Sequence, residues 1–396
     1  MADLPDTERR RASLTYVELH KGDLETTREE RFECAKKIEE KLRHVYKHTF
    51  PLTAIHASII LLVPEGCLKD GGFLDPDQPS SFLKQALKHV AELVGHFIQK
   101  SNEDRWPADP TQSKGSGETV PTERSLKRPR AAIDSGSAGP ESITGDDTDT
   151  GYCRQRDNFQ CILTATPGGQ VAHIVPLAWD NNKGNSEKTF QAIVRAEAFF
   201  SEAVVTDLVA LIANTYYLGG SNKDWNMLSL NERLYSWWPQ GFFGFKFLGI
   251  KHLDSQNPDD EASEDQETEV MIQFNWLECR QGKPNDQVAV MGSSNSMEDL
   301  AKRQLFHEAN GNPAPDRNER GIIAAEGMDA HKSIIPGHVV PILMPFSDAK
   351  KCKLMIDLQW DLIQIAAMNG GARHPELLPK PYVYDLCKRL RRYSSS

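Results

Sequence analysis

The sequence predicts an α+β fold, because some segments have the apolar period of a helix and others that of a strand. In residues 26–49, apolar residues recur at three- and four-residue steps with charged residues between them, as on one face of a helix. Residues 81–101 and 348–368 show the same period. Residues 270–277 form an alternating run that is typical of a half-buried strand.

Local start and stop signals bound these elements. Pro51 ends the first helix, because proline cannot continue a helix, and Ser80 or Ser81 can cap the second. Residues 55–63 are apolar without a clear period, so they are open to both a buried strand and a helix. A further helix is predicted over 297–309.

Two polar segments predict linkers. Residues 106–150 are dominated by Pro, Gly, Ser, Thr and Asp, and this composition predicts a disordered linker. The basic residues 127–130 within it are open to two interpretations, a nuclear import signal and a solvated charge cluster. Residues 254–269 carry many acids and no base, which predicts a solvated acidic linker.

The C-terminal part contains a second polar stretch and a basic tail. Residues 311–337 are rich in loop-forming residues. His331 and His338 are predicted to be surface residues, since no cysteine or second close ligand pair accompanies them. The basic residues within 388–392 suit a phosphate contact or, alternatively, a solvated helix end.

Composition narrows the class of protein. The 396 residues include 56 acids and 46 bases, and the formal net charge of −10 disfavours a protein coated in base for non-specific DNA binding. No run of 18 apolar residues and no secretory signal is visible, so we expect no membrane span and an intracellular protein, either nuclear or cytoplasmic. Seven scattered cysteines without a C-x-x-C pair argue against a disulfide scaffold and a four-cysteine zinc site.

Two motifs of the middle region occur together. Residues 154–176 contain Arg-Asp, then Cys-Ile-Leu-Thr, then Ala-His-Ile-Val-Pro, and residues 225–247 contain Asn-Met-Leu-Ser-Leu followed by Trp-Trp-Pro. These residues resemble the HNH nuclease domain in the form common in fungal proteins. Residues 354–372 resemble the C-terminal helix of the same proteins. The resemblance covers roughly half the chain and implies a ββα-metal core, here enlarged by a long helical insert over 189–217.

With this resemblance, the chain divides into five predicted segments. They are an N-terminal helical region (1–105), a disordered linker (106–150), an HNH nuclease-like domain (151–253), an acidic linker (254–269) and a C-terminal strand and helix extension of the HNH domain (270–396). The implied fold is therefore an HNH-like ββα core that packs on the C-terminal region, with the N-terminal helices attached through a linker.

The resemblance also implies roles for individual residues. In the family, a strand histidine acts as general base on water, and a helix histidine with an acid holds one divalent metal that stabilises charge on the phosphate. His173 matches the general base, and Asn226 matches the asparagine that orients it. These two are the candidate catalytic residues.

The helix positions depart from the family pattern. Tyr235 stands where the metal-binding histidine is expected and Pro239 where the aspartate is expected, while Trp238 matches the preceding aromatic residue. Neutral tyrosine is a poor ligand for Mg²⁺ or Zn²⁺, and proline has no side-chain ligand atom. Asp224 and Glu232 are the candidate replacement ligands for such a divalent metal. Tyr235 and Trp238 are candidate substrate-binding residues.

Each candidate has a structural alternative. His173 suits a buried histidine that is bonded to Asn226, and Asn226 suits an ordinary cap or turn residue. Tyr235 suits core packing or a hydrogen bond to His173, and Trp238 suits core packing. The insert over 189–217 suits a packing helix.

Three functions remain open at this point. The first is a degenerate HNH-fold protein that binds nucleic acid without cutting, or binds a protein partner through its N-terminal helices, and needs no cofactor. The second is an active divalent-metal-dependent endonuclease that hydrolyses phosphodiesters with His173 as general base. The third is a repurposed fold that performs metal-free acid–base chemistry on a small molecule with His173 and Tyr235.

Overall fold

The described part of the chain combines helices with two small antiparallel sheets, which confirms the α+β class. The structure is a computed structural model, and it describes residues 21–46, 50–105, 147–253, 264–292, 295–308 and 334–380. The predictions that lie outside the described residues concern most of the two linkers, the basic cluster 127–130, most of 311–337 with His331, and the tail 388–392.

The described residues of the N-terminal part include three helices. They are α1 (Lys21–Tyr46), α2 (Ala54–Leu62) and α3 (Ser80–Arg105). The ambiguous run 55–63 is therefore helical. Arg31 of α1 donates from Nη1 to the carbonyl oxygens of Ile60 (2.8 Å) and Val63 (2.7 Å), so a cation occupies the negative end of the α2 dipole.

The middle part begins earlier in the chain than predicted, and its helical insert consists of separate helices. Its elements are α4 (Asp147–Arg156), β1 (Gln170–His173), α5 (Lys183–Ile193), α6 (Glu202–Ile212), β2 (Met227–Leu230) and α7 (Glu232–Trp237). Residues 147–150 belong to α4, not to a linker. The prediction of one long helix over 189–217 is wrong, because the chain turns between α5 and α6. At this turn Arg195 forms an ion pair with Glu92, a buried carboxylate of α3 that also pairs with Lys88.

The strands form two separate sheets. The larger sheet contains β3 (Phe243–His252), β4 (Glu267–Trp276) and β5 (His338–Pro345), in the order β3-β4-β5, and β1 pairs with β2 in the smaller one. The strand predicted over 270–277 is confirmed as β4, but residues 267–269 of the predicted acidic linker also belong to it. The prediction that His338 is a surface residue is wrong. It begins β5, pairs with Phe274 and is half-buried, and burial lowers the pKa of its imidazole.

The C-terminal helix packs closely on the larger sheet. The last two helices are α8 (Met297–Glu308) and α9 (Phe346–Asn369), and both confirm predicted helices. A Cβ atom at Gly244 of β3 would lie only 3.0 Å from Ile363, so glycine permits the close approach of α9. Oε1 of Gln359 accepts a hydrogen bond from the backbone N–H of Phe245 (3.1 Å), which ties α9 to β3.

The N-terminal, middle and C-terminal parts share one hydrophobic core. The apolar stripe predicted for α3 is buried in it, except for Phe82 at the start of the helix, which is 43% exposed. Nε2 of Gln99 in α3 donates to the carbonyl oxygens of Pro375 (2.8 Å) and Leu378 (3.1 Å). A Cβ atom at Gly95 would lie 2.1 Å from the carbonyl oxygen of Pro379, so the two backbones are in direct contact there. Among the described helices, none is both long and apolar enough to cross a membrane.

Candidate functional site

His173 lies at the end of β1, opposite Met227 of β2. Its imidazole is half-buried, and its Nε2 atom lies 3.1 Å from Oδ1 of Asn222. An amide oxygen only accepts hydrogen bonds, so this bond requires the proton on Nε2. In a neutral imidazole the lone pair is then on Nδ1. A general base that acted through Nε2 would first have to break the bond to Asn222.

Asn226 holds the loop that follows β1. Its Oδ1 atom accepts the N–H of Val175 (2.9 Å), and its Nδ2 atom donates to the carbonyl oxygens of Val175 (2.8 Å) and Ser221 (2.6 Å). The side chain is fully buried. All three bonds go to the backbone. Asn226 therefore positions Val175, which follows β1, and Ser221, which lies in the loop before β2. The predicted alternative of a bond from His173 to Asn226 is replaced by the bond to Asn222.

A buried carboxylate holds the loop that contains Ser221 and precedes β2. Asp180 accepts hydrogen bonds from the hydroxyl and the backbone N–H (3.1 Å) of Ser221, and both residues are fully buried. Burial raises the pKa of Asp180 to about 6, although the bonds from Ser221 oppose this rise. Because Ser221 precedes Asn222, Asp180 and Asn226 together fix the residue that contacts His173.

Sequence reasoning missed Asp180, Ser221 and Asn222. The signal that was available is the run Gly219-Gly220-Ser221-Asn222, which is rich in turn-forming residues. A Cβ atom at Gly220 would lie 1.8 Å from the carbonyl oxygen of Leu211, so this loop requires glycine for a close backbone approach. A run of turn residues does not, however, reveal which buried carboxylate it contacts.

The Arg-Asp pair of the first motif is a structural clamp. Nε of Arg156 donates to Asp157 (2.8 Å), and its Nη atoms donate to the backbone oxygens of Asp224 (2.9 Å) and Met227 (2.7 Å). The second carboxylate oxygen of Asp157 accepts the N–H of Ser229 in β2 (2.8 Å). The clamp therefore ties the end of α4 to the segment that carries Asn226 and to β2.

The two candidate replacement ligands differ in burial. The Asp224 carboxylate is half-buried, and burial raises its pKa, while Arg156 lowers it and Asp348 and Asp149 raise it further. Its electrostatic neighbours thus lie on α4 and α9. Glu232 is exposed in the first turn of α7, where an acid interacts favourably with the helix dipole.

The two candidate substrate-binding residues differ in exposure. Tyr235 is half-buried and packs against the core. Trp238 is only 3% exposed, stacks on Phe243 at 5.9 Å between ring centroids and meets Phe245 edge-on at 5.2 Å. A base or flat ligand has no access to a ring buried in this way. The geometry of Trp238 is that of core packing.

The donor set does not fit a divalent metal. In the part of the chain that the structure describes, no group of three or more His, Cys, Asp or Glu side chains is placed to hold a metal ion. The residues of α7 and the turn after it present a phenol and a proline, Tyr235 and Pro239, where the resemblance implies ligands. No chemical step through Mg²⁺ or Zn²⁺ is therefore derived from these residues.

A shallow apolar cavity lies between α5 and α6. In the chain, these helices precede the loop that contacts His173. Its volume is about 370 Å³, and its lining includes Phe190, Val209 and Tyr216. Tyr216 is 91% exposed, and Glu187 is the one charged residue of the lining. This surface is apolar and weakly acidic, so it lacks the cation that a phosphate would need.

The elements around His173 follow one another as strand, strand and helix. His173 ends β1, Asn226 precedes β2, and α7 begins at Glu232, two residues after Leu230 ends β2. This order is the one that the resemblance implies, and the relation to HNH nucleases stays a prediction. Compared with protein families, curated proteins and solved structures, the chain matches none of them.

Proposed function

We propose that this chain binds nucleic acid without cutting it, on a ββα unit related to that of HNH endonucleases. The observation that carries the proposal is the hydrogen bonding of the polar side chains around β1. His173 is bonded to Asn222, and Asn226 is used entirely on backbone groups. These bonds support a unit that keeps the scaffold of the site but uses it for positioning.

The composition of α7 supports the non-cleaving part of the proposal. Hydrolysis of a phosphodiester by an HNH enzyme relies on a metal that neutralises the phosphate and stabilises the leaving oxygen. Tyr235 and Pro239 supply neither a carboxylate nor an imidazole at the helix positions. Glu232 is exposed and Asp224 faces other charges, so neither compensates for them.

Surface chemistry supports nucleic acid over a protein partner on the N-terminal helices. The apolar stripe of α3, which a partner would contact, is used in the chain's own core. Exposed aromatic rings with an exposed arginine occur instead on α4, at Tyr152, Arg154 and Phe159. Rings stack on bases and arginine binds phosphate, so this surface favours a nucleic acid despite the net charge of −10.

The experiment combines cleavage, metal binding and nucleic-acid binding on the full chain. Supercoiled plasmid is incubated with the protein and Mg²⁺, Mn²⁺, Ni²⁺ or Zn²⁺, and each metal is also titrated calorimetrically. Fluorescence anisotropy measures binding to a fluorescein-labelled 20-nucleotide DNA. His173→Ala is the test variant, and His44→Ala, which replaces an exposed histidine of α1, is the matched control.

We expect no nicking with any metal, no metal binding that depends on His173, and DNA binding by all three proteins. Nicking by the wild type and by His44→Ala that disappears in His173→Ala would overturn the proposal and assign an active endonuclease. Absence of DNA binding would also overturn it. The metal-free acid–base alternative would then be tested through the pH dependence of small-molecule turnover by wild type and Tyr235→Phe.

A further inference from the structure

The outward face of α4 exposes two aromatic rings. Tyr152 is 57% exposed and Phe159, just after the helix, is 63% exposed. On the inward face, Cys153 and Asp157 are buried, and Arg156 holds the helix end against β2. The outward face is therefore presented by a fixed helix, and its rings are not oriented by packing against the core.

The backbone at Phe159 is unusual for an aromatic residue. Asn158 and Phe159 both have positive φ angles, 54° and 55°. The N–H of Phe159 donates to the carbonyl oxygen of Arg154 (2.7 Å), and the carbonyl of Phe159 accepts from Gly168 (3.0 Å), so the turn is held on both sides. Glycine or asparagine suits this left-handed region, and a bulky residue is strained there.

Phe159 is therefore disfavoured by the fold in two independent ways. Its left-handed backbone is strained, and its exposed ring leaves apolar surface in water. Neither feature stabilises the folded state. Strained residues that project from a fixed turn are common where a protein contacts a ligand, so the residue is best explained by a contact outside the chain.

The polar groups of the same face indicate which ligand it takes. Arg154 is exposed, and within the described residues its guanidinium makes no ion pair. Gln155 and Asn158 are exposed as well and offer amide groups. Asp157, the one acid between residues 151 and 160, is buried and paired with Arg156.

We infer that the exposed side chains of α4 and of the turn after it, Tyr152, Arg154, Gln155, Asn158 and Phe159, bind single-stranded nucleic acid. This inference rests on the proposed function and deepens it. The two rings stack on unpaired bases, and the guanidinium of Arg154 contacts a phosphate of the same strand. A duplex keeps its bases stacked on one another, so it cannot use the rings in this way. A protein partner would favour a contiguous apolar groove over two separated rings beside a free cation.

The test compares single-residue variants of the full chain in anisotropy titrations. The probe is a fluorescein-labelled 20-nucleotide DNA of mixed sequence, either single-stranded or annealed to its complement. Phe159→Gly removes a ring and suits the positive φ angle, Tyr152→Ser removes the other ring, and Arg154→Gln removes the charge. Tyr216→Ser is the matched control, because Tyr216 is an even more exposed ring without a neighbouring free cation.

We expect each ring variant to weaken single-strand binding about tenfold, which is the size of one lost base stack. Arg154→Gln should lower the slope of log Kd against log salt by about 0.7, the value for one phosphate contact on a single strand. The control should bind like the wild type, and the duplex should bind more weakly than the single strand.

The inference is overturned if the wild type binds the single strand and the α4 variants bind it equally well, or if Tyr216→Ser loses as much affinity as they do. Duplex binding that equals single-strand binding would overturn it too. These outcomes leave the proposed function intact, because the wild type still binds without cutting. Cleavage by the wild type would instead overturn the proposed function. The effect of the variants on affinity would still test whether the α4 residues bind the single strand.

Discussion

Nε2 of His173 lies 3.1 Å from Oδ1 of Asn222, a residue 49 positions later in the chain. The bond joins the end of β1 to the loop that precedes β2. That loop is itself held by Asp180 and Asn226, both through Ser221. The position of the candidate general base therefore depends on a buried network formed by Asn222, Ser221, Asp180 and Asn226.

Replacement of Asn226 should be one of the more damaging changes in this network. Asn226→Ala removes three hydrogen bonds and leaves buried backbone groups of Val175 and Ser221 without them. We expect the free energy of unfolding to fall by about 3 kcal/mol, as measured by urea denaturation. Asn231→Ala is the control, since it removes one helix-cap bond to Leu234 and one longer bond to the Thr164 hydroxyl (3.2 Å), and it should cost about 1 kcal/mol. Equal losses of the free energy of unfolding in the two variants would contradict this role of Asn226.

Asp180 should make the protein more stable as the pH falls towards 5. Its pKa is about 6 in the folded state and 3.8 as the ordinary value, so the folded state binds the proton more tightly. This contribution to stability is full below the ordinary pKa and is lost as the pH rises through 6. Between pH 7 and 5 it should add roughly 1 kcal/mol to the free energy of unfolding. Urea denaturation of wild type and Asp180→Asn across this range measures it, and a difference that does not vary with pH would count against it.

His96 should make the protein less stable as the pH falls. Its ring is buried, stacks on Trp179 and contacts the Thr189 hydroxyl at 2.8 Å, and burial lowers its pKa from 6.5 to about 3. The stability from this neutral histidine is present above pH 6.5 and is lost as the pH falls, because the unfolded state binds the proton. We expect a loss of roughly 2 kcal/mol between pH 7 and 5. In His96→Gln this part of the pH dependence should vanish from the denaturation curves.

Two glycines in helices should respond in opposite directions to alanine. Gly95→Ala places a Cβ atom against the backbone of Pro379, so α3 must move or the C-terminal segment must detach, at a cost of about 2 kcal/mol. Gly151→Ala meets no atom within 4 Å on α4, and it should gain about 0.5–1 kcal/mol from helix propensity. Thermal denaturation of both variants provides the comparison. A neutral Gly95→Ala would show that the contact between α3 and Pro379 is absent in solution.

Phe159→Gly should stabilise the protein, in contrast to its expected effect on binding. Glycine relieves the positive φ angle and removes an exposed ring, so the free energy of unfolding should rise by about 1 kcal/mol. Tyr152→Ser lacks the backbone effect and should change stability little. If Phe159→Gly instead lowers the melting temperature, the ring has a structural role and the argument from strain fails.

The elements with a strong local pattern could be predicted from the sequence. The helices α1, α3, α8 and α9 follow a continuous apolar stripe, and β4 follows an alternating run. A local pattern failed where a distant contact decides the structure. The stripe through 189–217 continues across the turn at Arg195, and the turn is explained only by Glu92, which lies 103 residues earlier. No periodicity contains that information.

The candidate site shows the same division. The family resemblance led to His173 and Asn226, because both occur inside short motifs. It could not lead to Asp180 or Asn222, because their roles arise from the folding of the insert back onto β1. It also assigned ligand binding to Trp238, whose ring the core covers. Aromatic residues near a motif suit a core and a binding surface equally well until their exposure is known.

The contact between α3 and residues 375–380 has a consequence for how the chain is synthesised. Gln99 and Gly95 find their partners only after about 275 further residues have been made, since Pro375 and Pro379 come so late in the sequence. At about 5–20 residues per second, a ribosome needs some tens of seconds for this stretch. During that time the part of α3 that contacts residues 375–380 is uncovered, so we expect the nascent chain to expose it until these residues have left the ribosome.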